Sequence, residues 1–178
     1  MKTYSQDLDE PDRERLFVGV SEYEVAADGE TLVAYGLGAC VGIVLYDPSS
    51  HVGGLAHPML PRQSETESRT DTKFVDPVVE TLLREVLEAG ATYGHVEGYV
   101  VGGADLLDLQ NLPQDVSDRN VAVAREELQR LDVPVVETAV GGTHGRTVEL
   151  DTGTGELRVV VAHESDPRLL RRQEAIES

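Results

Sequence analysis

The stretch YGLGACVGIVLYDPSSHVGGLAHPMLP, residues 35–61, decides how this chain is read. It holds the only cysteine, Cys40, and a histidine, His57, late in the following apolar run. Gly36 and Gly38 permit positive φ before Cys40, and Val41 to Tyr46 reads as a buried strand, so the thiol lies where a turn enters a sheet. Asp47-Pro48 ends that strand. Val52 to His57 can return beside it, bringing an imidazole back toward the sulfur. The expected unit is a Cys-His pair.

Upstream, residues 1–14 are polar and charged without periodicity and read as a mobile arm. From Leu16 the run LFVGVSEYEVA predicts strand with a break near Gly19 or Ser21, and Thr31 to Tyr35 predicts a second strand, paired to it as a hairpin across Asp28-Gly29. Downstream, RQSETESRTDT (62–72) has nothing to bury and reads as an exposed loop, either a plain connection or a lid near His57. Asp76 is the expected N-cap of a helix with Pro77 in its first position; Val78, Val79, Leu82, Leu83, Val86 and Leu87 recur at helical spacing up to Gly90. His95 to Val101 predicts a strand leaving through Gly102-Gly103, a turn that can approach a ligand closely or merely be tight. Leu106, Leu107 and Leu109 are expected to anchor the loop beyond it.

Ser117 or Asn120 can cap a second helix running to about Leu131, with Val121, Ala124, Leu128 and Leu131 on one face. Pro134 to Val140 predicts a strand, and Arg146 to Leu150 pairs with Leu157 to Ala162 across DTGTGE. The tail, 164–178, is compatible with a short helix or a frayed end. About eight short strands and two main helices point to a single α/β (α+β) domain over 15–163, a layered sandwich with mixed or antiparallel sheets flanked by the helices.

Composition narrows the function classes. Thirty-three acidic residues against 15 basic ones give a net charge of -18, a poor surface for nucleic acid. No apolar run approaches the roughly 20 residues of a membrane-spanning helix, so no membrane insertion is expected. The N-terminus lacks a secretory pattern and a solitary cysteine forms no internal disulfide, both of which favour the cytoplasm. An acidic surface with lysine only at Lys2 and Lys73 resembles that of proteins bathed in concentrated salt, where screening over about 3 Å at 1 M relieves self-repulsion. The alternative is an ordinary acidic enzyme.

A thiol acts as thiolate, and with an unperturbed pKa of about 8.5 it needs an imidazolium or backbone dipoles to ionise near neutrality. His57 can supply the first and amides of the Gly38 to Val41 turn the second, which would also stabilise an oxyanion during attack on an amide, ester or thioester. This pairing predicts alkylation of Cys40 below the pH of a free thiol. Taken alone, a cysteine among apolar residues is more often a small core residue; the glycine turn and returning histidine bring the functional reading level with that one. His51, His95, His144 and His163 are scattered and read as incidental. One cysteine with such histidines gives no zinc-ligand spacing, so no metal and no cofactor are expected.

GLGACVGIVLYDP followed by GGLAHPMLP resembles the CheD family of chemoreceptor glutamine deamidases. The likeness continues through Lys73-Phe74-Val75-Asp76, Val101-Gly102-Gly103-Ala104, Arg119-Asn120, Gly141-Gly142, Gly145-Arg146 and Thr154-Gly155, from about Val18 to Val161. It implies a sandwich like that of the toxin-type cysteine deamidases. It also implies hydrolysis of receptor glutamines to glutamate without a cofactor, Cys40 as nucleophile, His57 as general base and acid, and a CheC-type phosphatase as partner. Gly38, Ala39, Gly102 and Gly103 are candidate substrate contacts. Where the family has a threonine completing a triad, this chain has Ala34; either a backbone carbonyl or another side chain, Thr31 among them, holds the imidazole instead, or activity is reduced. Two other readings stand beside this one: a non-catalytic regulator that binds a CheC-type phosphatase or a receptor, and a cysteine hydrolase of another amide or thioester. The charge makes one prediction of its own: the melting temperature should climb as salt is raised toward molar concentration, and a flat curve would mean an ordinary acidic protein.

Overall fold

The computed structural model describes residues 14–63, 71–105 and 116–173. The N-terminal arm, the anchors Leu106, Leu107 and Leu109, and most of the 62–72 loop lie outside them. Ten strands form two five-stranded sheets. One sheet contains β1 (Arg15–Phe17), β3 (Thr31–Leu37), β8 (Arg146–Asp151), β9 (Leu157–Val161) and β10 (Arg168–Arg171), in that spatial order. The other runs β2 (Tyr23–Ala26), β5 (Val52–Ala56), β4 (Val41–Asp47), β6 (Glu97–Gly102), β7 (Val135–Val140). Both are mixed: β1 is parallel to β3 and β6 to β7, and all other pairs are antiparallel. Helices α1 (Val75–Glu88) and α2 (Val116–Arg130) complete the α+β sandwich.

Every residue of β4 is buried. Its odd-numbered side chains, Val41, Ile43 and Leu45, pack with α1 and α2 residues such as Val78, Leu82 and Leu128. Its even-numbered Val44 and Tyr46 pack with Leu32, Ala34, Val148 and Leu150 of the other sheet. A strand with a core on each face must be apolar throughout, which is why 41–46 shows no alternation. Strand β5 obtains the same double burial with glycines: a Cβ on Gly53 would lie 2.6 Å from Leu150 Cδ2, and one on Gly54 2.8 Å from Leu82 Cδ1 and Val86 Cγ1.

Several boundaries differ from the sequence expectations. The break at Gly19–Glu22 is present, with Ser21 at φ 63°, but the flanking strands enter different sheets. Consequently β2 and β3 form no hairpin: Asp28 (φ 58°) and Gly29 (φ 91°) carry the chain from one sheet to the other. Turn chemistry marks a reversal, while each strand's partner depends on which face it must bury. Helix α1 begins two residues earlier than expected, with Phe74 as an N-cap lacking a side-chain bond. Its first amides are satisfied by the preceding loop, Val75 N–H on Leu60 O (2.9 Å) and Asp76 N–H on Pro61 O (3.3 Å), so Asp76 is released to accept from Gln63 N–H at 3.0 Å. Ser117 and Asn120 are buried inside α2, not caps. The tail supplies β10, antiparallel to β9, in place of helix or fray.

Asp47 closes β4 fully buried. Burial opposes its ionisation, yet the Ser49 hydroxyl (2.6 Å), the Thr92 amide (2.7 Å), the Ser49 amide (2.8 Å) and the Ser50 hydroxyl (2.9 Å) outweigh it and hold its pKa at about 2. A carboxylate depressed on folding stabilises above its unfolded pKa of about 3.9 and loses that contribution as pH falls toward its folded value. Asp47→Asn should therefore cost about 2 kcal/mol at neutral pH and flatten the stability loss between about pH 4 and pH 2, read from urea melts across that window.

Candidate active site

Strand pairing brings the two candidate residues to one face. The β4–β5 register aligns Ile43 with Ala56 and Val44 with Leu55, and Val41 N–H donating to Pro58 O at 3.4 Å continues it past the strand ends. That register sets His57 opposite Gly42, which brings no side chain, and Cys40 opposite Met59. Because side chains alternate, Cys40 and His57 share the face turned toward the other sheet. They stand in the diagonal relation, for which neighbours lie about 7–8 Å apart and their Cβ atoms somewhat less. No hydrogen bond joins the sulfur to the ring.

Cys40 is partly exposed and follows the exposed Ala39. Its loop is held by every carbonyl available: Gly38 O accepts from Ala104 N–H (2.7 Å), Ala39 O from Asn120 Nδ2 (2.9 Å) and Cys40 O from Gly103 N–H (2.9 Å). Among the described residues no other residue supplies an acceptor to the amides of Gly38, Ala39 or Cys40, and the Cys40 amide faces its own sulfur. Of the two glycines expected to allow positive φ here, Gly36 has it (65°) and Gly38 does not; the irregularity is a bulge in β3 between Ala34 and Leu37.

Gly102 (φ 103°) and Gly103 (φ 61°) are buried, and their close approach is to the cysteine loop and α2. A Cβ on Gly102 would stand 2.5 Å from Cys40 O, and one on Gly103 would overlap the Val121 side chain. The turn thus supports the loop from behind and offers a substrate little surface of its own.

His57, 1% exposed, hydrogen-bonds through Nδ1 to the Val18 carbonyl at 3.3 Å. A carbonyl only accepts, so Nδ1 carries the proton and Nε2 the lone pair. Nε2 is buried without a hydrogen-bond partner. The ring's backbone is clamped by the same β1–β2 loop, with His57 N–H on Glu22 O (3.0 Å) and Ser21 N–H on His57 O (2.8 Å). Ala34 is buried against β8. Thr31, at the opposite end of β3, pairs with Asp151 and does not hold the ring.

Burial pushes the Cys40 thiol up, against a smaller opposing contribution from its own backbone amide. Burial likewise pulls the His57 imidazole down, with the Val18 carbonyl and the Glu22 charge opposing. Burial thus disfavours both the thiolate and the imidazolium, and runs against the ion pair expected from spacing.

Sequence reasoning allowed for a backbone carbonyl holding the ring without saying which, and it missed the Asn120 amide. A polar residue on the apolar face of α2 was the available signal for Asn120; the carbonyl had none. The remaining histidines stay dispersed: His51 meets the Tyr46 hydroxyl (3.3 Å), His95 the Ser49 hydroxyl (2.8 Å), and His144 and His163 lie edge to face. Among the described residues no group of three or more His, Cys, Asp or Glu gathers to hold a metal. An open hollow of about 410 Å³ along α1, lined by Glu80, Leu83, Arg84, Leu87 and Glu88, includes neither Cys40 nor His57.

Because the thiol is raised, iodoacetamide should modify Cys40 with a midpoint above the roughly 8.5 of an unperturbed thiol, the reverse of the expectation from spacing. A midpoint below 7 would mean that the two groups ionise as a pair.

Residues 59–161 match the family model described as CheD chemotactic sensory transduction, a match that starts just after His57. Relatives cover more of the chain. A probable chemoreceptor glutamine deamidase CheD of Haloarcula marismortui is 37% identical over 150 residues, 84% of this chain and 87% of the relative. Its counterpart from Natronomonas pharaonis is 40% identical over 147 residues (82% and 87%), and that of Pyrococcus horikoshii 38% over 144 residues (80% and 89%). With the match spanning most of its length and the sandwich formed around the Cys-His motif, this chain belongs to the CheD family.

Proposed function

We propose that this chain is a protein-glutamine deamidase that hydrolyses glutamine side chains of methyl-accepting chemoreceptors to glutamate and ammonia. The observation that carries the proposal is the arrangement of a partly exposed thiol beside unbonded main-chain amides, on the same face as an imidazole whose Nε2 lone pair is unengaged. The relatives' names supply the substrate class.

In this mechanism Cys40 Sγ adds to the carboxamide carbon as its proton passes to His57 Nε2. The oxygen gains the negative charge and the amides of Ala39 and Cys40 stabilise it. The imidazolium then protonates the nitrogen, the C–N bond breaks and ammonia leaves a thioester. His57, neutral again, takes a proton from water; the resulting attack releases glutamate and returns the proton to sulfur. Each step uses His57 as a proton carrier starting neutral, which suits a ring whose pKa is depressed by burial. The Val18 carbonyl does the orienting that a hydroxyl at position 34 would otherwise do, since it holds Nδ1–H and keeps the lone pair on Nε2.

The glutamine must arrive on a receptor helix, so the accepting surface is assigned around Ala39 and the described residues that flank the loop, Arg62 and Lys73. Arg62, at the start of that loop, pairs with Glu126 and Glu127 of α2, and Met59 and Leu60 accept the return of the chain at Lys73 and Phe74. No helix among the described residues is long and apolar enough to cross a membrane. The cytoplasm, where the receptors' signalling helices lie, is the compartment assigned here, and a CheC-type phosphatase is the partner the family likeness supplies. A non-catalytic regulator built on the same fold would bind the same helices without turnover.

Incubation with a receptor cytoplasmic fragment in high salt should release ammonia and convert glutamine to glutamate by mass. Cys40→Ala should abolish conversion, and His57→Ala should reduce kcat about 10²- to 10⁴-fold. With the His57 pKa lowered, the acid limb of kcat/KM should fall below pH 6.5, the ordinary histidine value. Receptor binding without conversion by the wild type would establish the regulator instead.

A further inference from the structure

Asn120 lies on the sheet-facing side of α2 with no exposed surface. Its Nδ2 donates to two carbonyls, Ala39 O at 2.9 Å and Met59 O at 3.0 Å. A flipped amide would set Oδ1 against two oxygens that can only accept, so the network fixes the orientation. The same orientation leaves Oδ1 buried without a partner. A stranded buried acceptor costs stability that an apolar side chain here would avoid, so core packing does not explain this residue. Its two bonds do: one is to the residue before the candidate nucleophile, the other to a residue just past the candidate base.

Every peptide bond described is trans. The carbonyl of Ala39 and the N–H of Cys40 therefore share a plane and point in opposite directions. Drawing the carbonyl toward α2 turns the amide away from it, toward the Cys40 sulfur, whose ionisation is governed by burial and only to a smaller extent by that amide. The bonds from Ala104 N–H to Gly38 O and from Gly103 N–H to Cys40 O fix the neighbouring planes. Asn120 is the only side chain among these three restraints.

We propose that Asn120 is a positioning residue: by holding the Ala39 carbonyl and the Met59 carbonyl together, it presets the Cys40 amide as the donor for the oxyanion and keeps the nucleophile and base segments in register. This rests on the deamidase reading above. A main-chain donor set in advance is worth most where charge develops and little in the ground state.

The test compares wild type with Asn120→Ala in three measurements: receptor deamidation, reversible binding of a glutamine-mimicking peptide aldehyde, and alkylation of Cys40 by iodoacetamide. Deamidation and aldehyde addition create an oxyanion on the substrate; alkylation displaces iodide and creates none. The expected result is a fall in kcat of about 10- to 100-fold with KM within about twofold, a comparable loss of aldehyde affinity, and an alkylation rate within about twofold of wild type. Parallel loss of alkylation would reduce Asn120 to a structural residue, and unchanged aldehyde affinity would overturn the proposal outright. If the wild type fails to deamidate receptor, the deamidase reading falls, while the comparison of aldehyde binding with alkylation still decides the role of Asn120. Should Asn120→Ala not fold, Asn120→Ser, which keeps a small hydroxyl in the buried site, is judged by the same ratios.

Discussion

Strand β4 has to bury both of its faces, and the rest of the molecule follows from that requirement. Its odd-numbered side chains need the helices and its even-numbered ones need the second sheet, so the chain must supply three layers. The pairing with β5 is then set to the residue, because a slip by one would exchange the two cores. Cys40 and His57 sit just beyond the paired ends of these two strands. Their shared face is a by-product of the register that satisfies the hydrophobic core.

Glycines make that register sterically possible. Gly53 and Gly54 let Leu150 on one side and Leu82 with Val86 on the other press against the β5 backbone, and Gly102 lets β6 end against the cysteine carbonyl. Close backbone packing behind the nucleophile loop engages the carbonyls of residues 38–40 and leaves their amides pointing forward. In the proposed mechanism electrophilic assistance comes from the main chain, where it needs no side-chain reorganisation.

Electrostatics at the site follow from the same burial. Desolvation drives both groups toward their neutral forms, and in the proposed mechanism they exchange a proton when substrate arrives, in contrast to a standing thiolate-imidazolium pair. A resting neutral thiol is less open to oxidation and adventitious alkylation. The loss of a hydroxyl at position 34 is compensated one layer away, where the break between β1 and β2 exposes the Val18 carbonyl to His57. Loop 18–22 is therefore both the crossing between sheets and the support of the base.

Local sequence determined a good deal: the apolar run of β4, the helical stripe of α1, the β8–β9 turn, the acidic surface and the Cys-His motif were all legible, since each depends on residues adjacent in the chain or at one fixed period. The family likeness extended this to an activity. Which sheet each strand joined was not legible, because β2 and β3 flank a good turn and yet bury their faces in different layers. Nor was the third partner of the imidazole, since a carbonyl belongs to every residue and only folding brings that of Val18 within 3.3 Å of Nδ1. Only the tertiary structure showed that burial opposes ionisation of both groups and that Asn120 bonds the Ala39 and Met59 carbonyls, because desolvation and the direction of a peptide plane exist only once distant segments have packed together.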